Sequence, residues 1–165
     1  MQVRLPLTEA LDAARSSGRL PSFVVGAAPT DDGVALRVDP QGVPGLSGAV
    51  RFAASLAGPV EVVVRWVGLA DGDATFAITS HARALPLHTL ANMLSTTLTG
   101  ILRQRGLGDL VEVRRGTEEP LLVVHVQRAL DRQVPGARLV DLALAGGAAH
   151  VEVDLSGARP AGPAV

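Results

Sequence analysis

The run Val60-Glu61-Val62-Val63-Val64-Arg65-Trp66-Val67 carries the decision about architecture. Val60, Val62, Val64 and Trp66 fall on one side of a period-two alternation, and Glu61, Val63, Arg65 and Val67 on the other. β-Branched residues in that alternation predict a strand over 59–68. Its second face is half apolar, so the strand is either central in a sheet or at a subunit contact. Trp66 is read as its core anchor, and as the first hot-spot residue to test if an interface exists.

Working outward, Asp71-Gly72-Asp73 is a turn that leads into a strand at 74–82. Upstream, a short strand runs into a helix over Thr8–Ser17, with Leu7, Ala10, Leu11 and Ala14 on one stripe and Gly18 as the stop. Strands are expected at 22–28, 33–38 and 47–56. Downstream, a helix is expected over 87–105, with Leu87, Leu90, Ala91, Leu94, Leu98, Ile101 and Leu102 at helical spacing and Gly106 just beyond its end. Strands follow at 109–115, 120–128, 137–145 and 148–155, and the Gly- and Pro-rich tail 156–165 is expected to be disordered.

The two halves echo each other in order. Leu5-Pro6-Leu7-Thr8 recurs as Leu85-Pro86-Leu87-His88, and Val43-Pro44-Gly45 as Val134-Pro135-Gly136. The turn Thr30-Asp31-Asp32-Gly33 before an apolar run recurs at Thr117-Glu118-Glu119-Pro120, and Val60-Glu61-Val62 recurs as Val151-Glu152-Val153. The expectation is therefore one α+β domain over 1–155, made of two strand-helix-four-strand repeats, 1–69 and 74–155. A curved, mainly antiparallel sheet would wrap on the helices.

Composition narrows the chemistry. The 165 residues contain no Cys, which removes disulfides and thiolate catalysis, and all 15 basic residues are Arg, which removes Schiff-base chemistry and a P-loop lysine. A net charge of −1 argues against a general nucleic-acid surface. The start lacks the pattern of a signal peptide, and Leu85–Leu102, the longest apolar candidate, is broken by polar residues such as His88, Asn92 and Ser95. A cytoplasmic location with no membrane span is expected.

The final strands are rich in small residues, Ala143, Ala145, Gly146, Gly147, Ala148 and Ala149 among them, and the chain has only four aromatic rings, those of Phe23, Phe52, Trp66 and Phe76. Such strands can bend and leave a cavity against a helix, or can simply pack tightly. A helix followed by an antiparallel meander ending in Leu139-Val140-Asp141-Leu142-Ala143-Leu144-Ala145-Gly146-Gly147-Ala148-Ala149-His150-Val151-Glu152-Val153 resembles the tubular lipid-binding (TULIP-like) proteins of bacteria, best over 83–155. That resemblance implies a ligand held between helix and sheet. The strand-helix-four-strand order is also similar to cystatin-like and hotdog folds.

The His residues are His81, His88, His125 and His150, and no pair has metal-ligand spacing, so no metal site and no cofactor are expected. By strand parity His81 and His150 sit on solvated faces, whereas His125 lies in a strand apolar on both sides. No Gly-x-Ser-x-Gly or phosphate-cradling loop occurs, and Asp141 and Glu61, the carboxylates a thioesterase would need, fit solvent-facing positions better. Arg103, Arg105, Arg114, Arg115, Arg128, Arg132 and Arg138 form an uneven basic region, read as cations at a helix end paired with Glu112, Glu118 and Glu119. The leading expectation is a non-catalytic module holding an apolar or lipid-like ligand, lined by Leu87, Leu90, Leu94, Leu98, Ile101 and His125. The alternatives are a structural or protein-interaction module forming homo-oligomers or partner complexes, and a small hotdog-like acyl thioesterase.

Overall fold

A computed structural model of the protein describes residues 1–44, 48, 51, 58–81, 99–100, 102–104 and 106–158. Sheet dominates them: 48% are strand and 22% helix, arranged in two antiparallel sheets. The larger sheet has six strands. In spatial order they are β2 (Val24–Thr30), β3 (Gly33–Val38), β4 (Val60–Ala70), β5 (Asp73–His81), β7 (Leu121–His125) and β6 (Val111–Arg114). The smaller has three, with β9 (Ala148–Asp154) between β1 (Gln2–Pro6) and β8 (Arg138–Ala145).

The alternation read over 59–68 holds. β4 lies inside the sheet between β3 and β5, and one face of the sheet runs through Val34, Leu36 and Val38, then Val60, Val62 and Val64, then Phe76 and Ile78. Val38, Val60, Val62, Ile78 and the loop residue Val43 form the buried core, with Phe23, Leu36 and Leu122 packed against it. Each fully buried Val or Ile contributes about 1.5–3 kcal/mol relative to exposure. Trp66 stands edge-on to its cross-strand partner Phe76, with ring centroids 5.3 Å apart. A bulge follows between Trp66 and Gly68 and leaves Val67 53% exposed.

Two-residue hairpins close β4–β5 and β8–β9. Asp71 and Gly72 have φ of 52° and 80°, and Gly146 and Gly147 have 56° and 69°. Left-handed conformation at both turn positions matches the strand twist, and Gly and Asp tolerate it best. The short helix α1 (Leu7–Ser16) places Leu7, Ala10, Leu11 and Ala14 inward, and Gly18 at φ 65° stops it. Its first N–H is satisfied from outside the helix, since Leu7 N donates to Gly147 O at 2.9 Å.

The expected α+β duplication of strand-helix-four-strand units is not what forms. Three findings overturn it. Gly48 and Arg51, inside the expected strand 47–56, are helical. The expected strand 120–128 stops at His125, and α2 (Val126–Gln133) follows, because Val126, Ala129 and Leu130 recur at helical spacing while Arg128, Asp131 and Arg132 face water. Pairing also crosses the boundary between the halves: β1 pairs with β9, and β4 pairs with β5. The echoes are local turn-and-run patterns, and local pattern does not choose a strand's partner. The helix expected over 87–105 lies mostly outside the described residues, as does the tail from 159 onward.

Candidate functional site

The two sheets meet at a cleft of about 810 Å³, formed by the β4–β5 turn, α2 and the start of β8. Leu69, Ala137, Leu139 and Val140 give it apolar walls; Asp71, Asp131 and Arg138 give it charge. Gln127 holds the frame. Its backbone N–H donates to Gly72 O at 3.0 Å, and its side-chain Nε2 donates to Asp131 Oδ1 at 2.7 Å and to Ala137 O at 2.9 Å. Its Oε1 accepts from Leu139 N at 2.7 Å. The backbone N–H of Gln127 thus ties α2 to the β4–β5 turn, and its side-chain amide ties α2 to the start of β8. Gly72 has to be Gly on two counts, its φ of 80° and a contact in which an added Cβ would sit 2.6 Å from Gln127 Cβ.

The cleft opens onto an aliphatic sheet face. In the β8–β9 register Leu139 faces Val153, Leu142 faces Val151 and Leu144 faces Ala149; in the β1–β9 register Val3 faces Val151 and Leu5 faces Ala149. These residues share one side of the three-stranded sheet. Leu139, Leu142, Leu144 and Val151 are only half-buried, and Val3 and Leu5 are each 44% exposed. Val140, the extra residue of the β8 bulge, is 53% exposed beside the cleft. The opposite side is polar, with Arg4 opposite His150 and Asp141 opposite Glu152 around a hollow of about 290 Å³.

Charge around the cleft is uneven. Arg132 is bound to the carboxylate of Asp109, and Arg128 Nη1 donates to Asp109 O at 2.7 Å, so both arginines of α2 turn toward Asp109. The hydrogen-bonded Arg132 guanidinium, and its charge, hold the Asp109 carboxyl below the usual carboxylate range. Arg138 stands opposite Asp154 in the β8–β9 register. Asp154 is also lowered, first by the Ser156 backbone N–H, then by its hydroxyl, with a smaller contribution from Arg138. Asp71 and Asp131 have no ion pair among the described residues.

Of the expected ligand-binding residues, Leu87, Leu90, Leu94, Leu98 and Ile101 lie outside the described residues. His125 lies within them, and its side chain is 13% exposed. Its Nδ1 is 2.8 Å from Asp73 Oδ1, across the rung that pairs the first residue of β5 with the last of β7. With the carboxylate ionised, Nδ1–H donates and Nε2 is left as the acceptor. An Asp–His pair is the orienting part of a nucleophilic triad. Among the described residues, however, no Ser or Thr hydroxyl bonds to this ring, so the geometry is that of a strut between β5 and β7. Asp73 was missed in the sequence because 52 positions separate it from His125. The cleft was missed for the same reason: its walls come from three elements, and no local motif links them.

The two carboxylates raised for a thioesterase, Glu61 and Asp141, are exposed, as is His150. The basic region is partly paired, with Arg114 on Glu112 and Arg132 on Asp109, while Glu119, expected to pair within it, lies 3.8 Å from Arg65 instead. Compared with family models, curated proteins and solved structures, the chain finds no match. Among the described residues no helix is long and apolar enough to cross a membrane, and no group of three or more His, Asp or Glu could hold a metal ion.

Proposed function

We propose that this protein is a non-catalytic binding module for an apolar, lipid-like ligand, acting in the cytoplasm. The observation that carries the reading is the half-covered aliphatic face of Val3, Leu5, Leu142, Leu144 and Val151, which runs into the cleft at Leu139. A contiguous apolar face rimmed by polar residues is a common mark of a binding surface, because leaving it in water costs about 25 cal/mol per Å². The resemblance to tubular lipid-binding proteins belongs to the same proposal. There too an apolar ligand lies against a sheet.

The second reading is a protein-interaction module. It draws support from Val67 and Val140, each 53% exposed at a bulge, and from the outer strands β1, β8, β2 and β6. Native mass spectrometry of the purified protein, followed by organic extraction, separates the two. A co-purifying lipid or fatty acid near one per chain is the expected result. A clean apo mass in a defined oligomer overturns the ligand reading and moves attention to the strand edges.

A further inference from the structure

We propose that β1 is a dimerisation edge, pairing antiparallel with β1 of a second copy of this chain across a two-fold axis at Val3, so that two three-stranded sheets become one of six. The dimer goes beyond the ligand reading and does not depend on it. Gln2, Val3, Arg4 and Leu5 are all exposed on this outer strand. The ladder to β9 settles which of their backbone groups are already used. Met1 and Val153 exchange both hydrogen bonds, at 2.7 and 2.8 Å, so by alternation Val3 and Leu5 also bond to β9. The N–H and C=O of Gln2 and Arg4 therefore point away from β9, and no hydrogen bond from the described residues reaches them. The other outer strands offer less. On β8 the Leu139 N–H is held by Gln127, on β2 Ala27 O accepts from Arg15 Nη2 at 3.4 Å beside a bulge at Val25, and β6 has only four residues.

The occupant follows from the edge, which is complementary to its own reverse. With Gln2 opposite Arg4 of the second copy, and Arg4 opposite its Gln2, every outward N–H and C=O of both residues finds a partner. Val3 then meets Val3 of the second copy at the axis, and the half-covered aliphatic face continues across it. The neighbouring registers are poorer. Opposing Arg4 to Arg4 sets like charges together and faces Gln2 with Pro6, which has no N–H to give; opposing Gln2 to Gln2 leaves the outward groups of Arg4 unpaired. Charge agrees with the first register. Across the polar side of the joined sheet the order becomes Asp141, Glu152, Gln2, then Arg4 of the second copy. Arg4, Glu152 and Asp141 have no ion pair among the described residues, so the guanidinium of each copy is available to the carboxylates of the other. Two short strands bury less than a standard interface, which sets a dissociation constant on the order of tens of micromolar.

The test uses the full chain, whose lack of Cys makes a single introduced thiol a clean reporter. Val3→Cys puts that thiol at the axis, where the Cα atoms of an opposed, non-hydrogen-bonded pair lie about 4.5 Å apart, within disulfide reach. Leu5→Cys is the control. Leu5 is as exposed as Val3, 44% each, but the same register sets its two copies roughly 14 Å apart. With diamide as oxidant, Val3→Cys is expected to form covalent dimer at least about tenfold faster than Leu5→Cys. Adding Arg4→Glu to Val3→Cys should slow that step about tenfold, and adding Gln2→Arg as well should restore it, because each introduced cation then faces an introduced carboxylate of the other copy. Both positions are exposed, and circular dichroism checks that each variant keeps the fold. Sedimentation equilibrium of the unaltered chain should show a reversible monomer–dimer equilibrium. A monomer at millimolar concentration, equal cross-linking of the two thiols, or no rescue of Arg4→Glu by Gln2→Arg overturns the proposal. The ligand reading is decided separately, by what organic extraction releases.

Discussion

The Gln127 side chain ties α2 to the start of β8, and its loss should be felt there. Replacing it by Ala leaves the Leu139 N–H and Ala137 O without their partner, which for half-buried groups costs about 1–3 kcal/mol. Urea unfolding of Gln127→Ala should show a lower midpoint with an unchanged slope; an unchanged midpoint would mean that water replaces the amide. Asp109 and Asp154 give a second residue-scale prediction. Both carboxyls are held below their ordinary value in the folded state, so their contribution is present above about pH 4 and is lost as pH falls through the folded values. Carbon-detected NMR titration should place both below the ordinary aspartate value, and Ser156→Ala should move Asp154 part of the way back. Only part returns, since the Ser156 backbone N–H remains, 2.8 Å from Asp154 Oδ1.

Among the elements, the two hairpin turns make a controlled comparison. Gly72 and Gly146 both have positive φ, and Ala at either is strained by about 1–2 kcal/mol. An added Cβ at Gly146 meets nothing within 4 Å, whereas at Gly72 it meets Gln127. Gly72→Ala should therefore lower the melting temperature clearly more than Gly146→Ala, and equal losses would show that the Gln127 contact relaxes freely. The elements also show how far pattern reading reaches. The strand 33–38 and the helix beginning near Leu7 were legible, because alternation and a helical stripe are properties of a few consecutive residues. α2 was not, although Val126, Ala129 and Leu130 carried its period: the apolar run Leu121–Val126 before it reads as a strand, and the boundary at His125 has no turn residue to mark it.

At the scale of the whole molecule, strand exchange between the halves predicts that neither half is a folding unit. β9 needs β1 on its outer side, and β5 needs β4. A fragment of residues 74–155 should show no cooperative unfolding transition, whereas two independent repeats would each retain one. The chain alone set the local order of stretches such as 33–38 and 60–70 and narrowed the available side-chain chemistry. The absence of Cys and Lys excludes thiolate and Schiff-base catalysis, and the alternation of Val60, Val62, Val64 and Trp66 marks a strand. Which strands pair, and which side chains line a common cleft, came only with the tertiary structure. The Asp73–His125 contact spans 52 positions and the β1–β9 ladder about 150, and such contacts are settled by which faces can be buried together. Asp71, Asp131 and Leu139 are ordinary residues in sequence; folding makes neighbours of them.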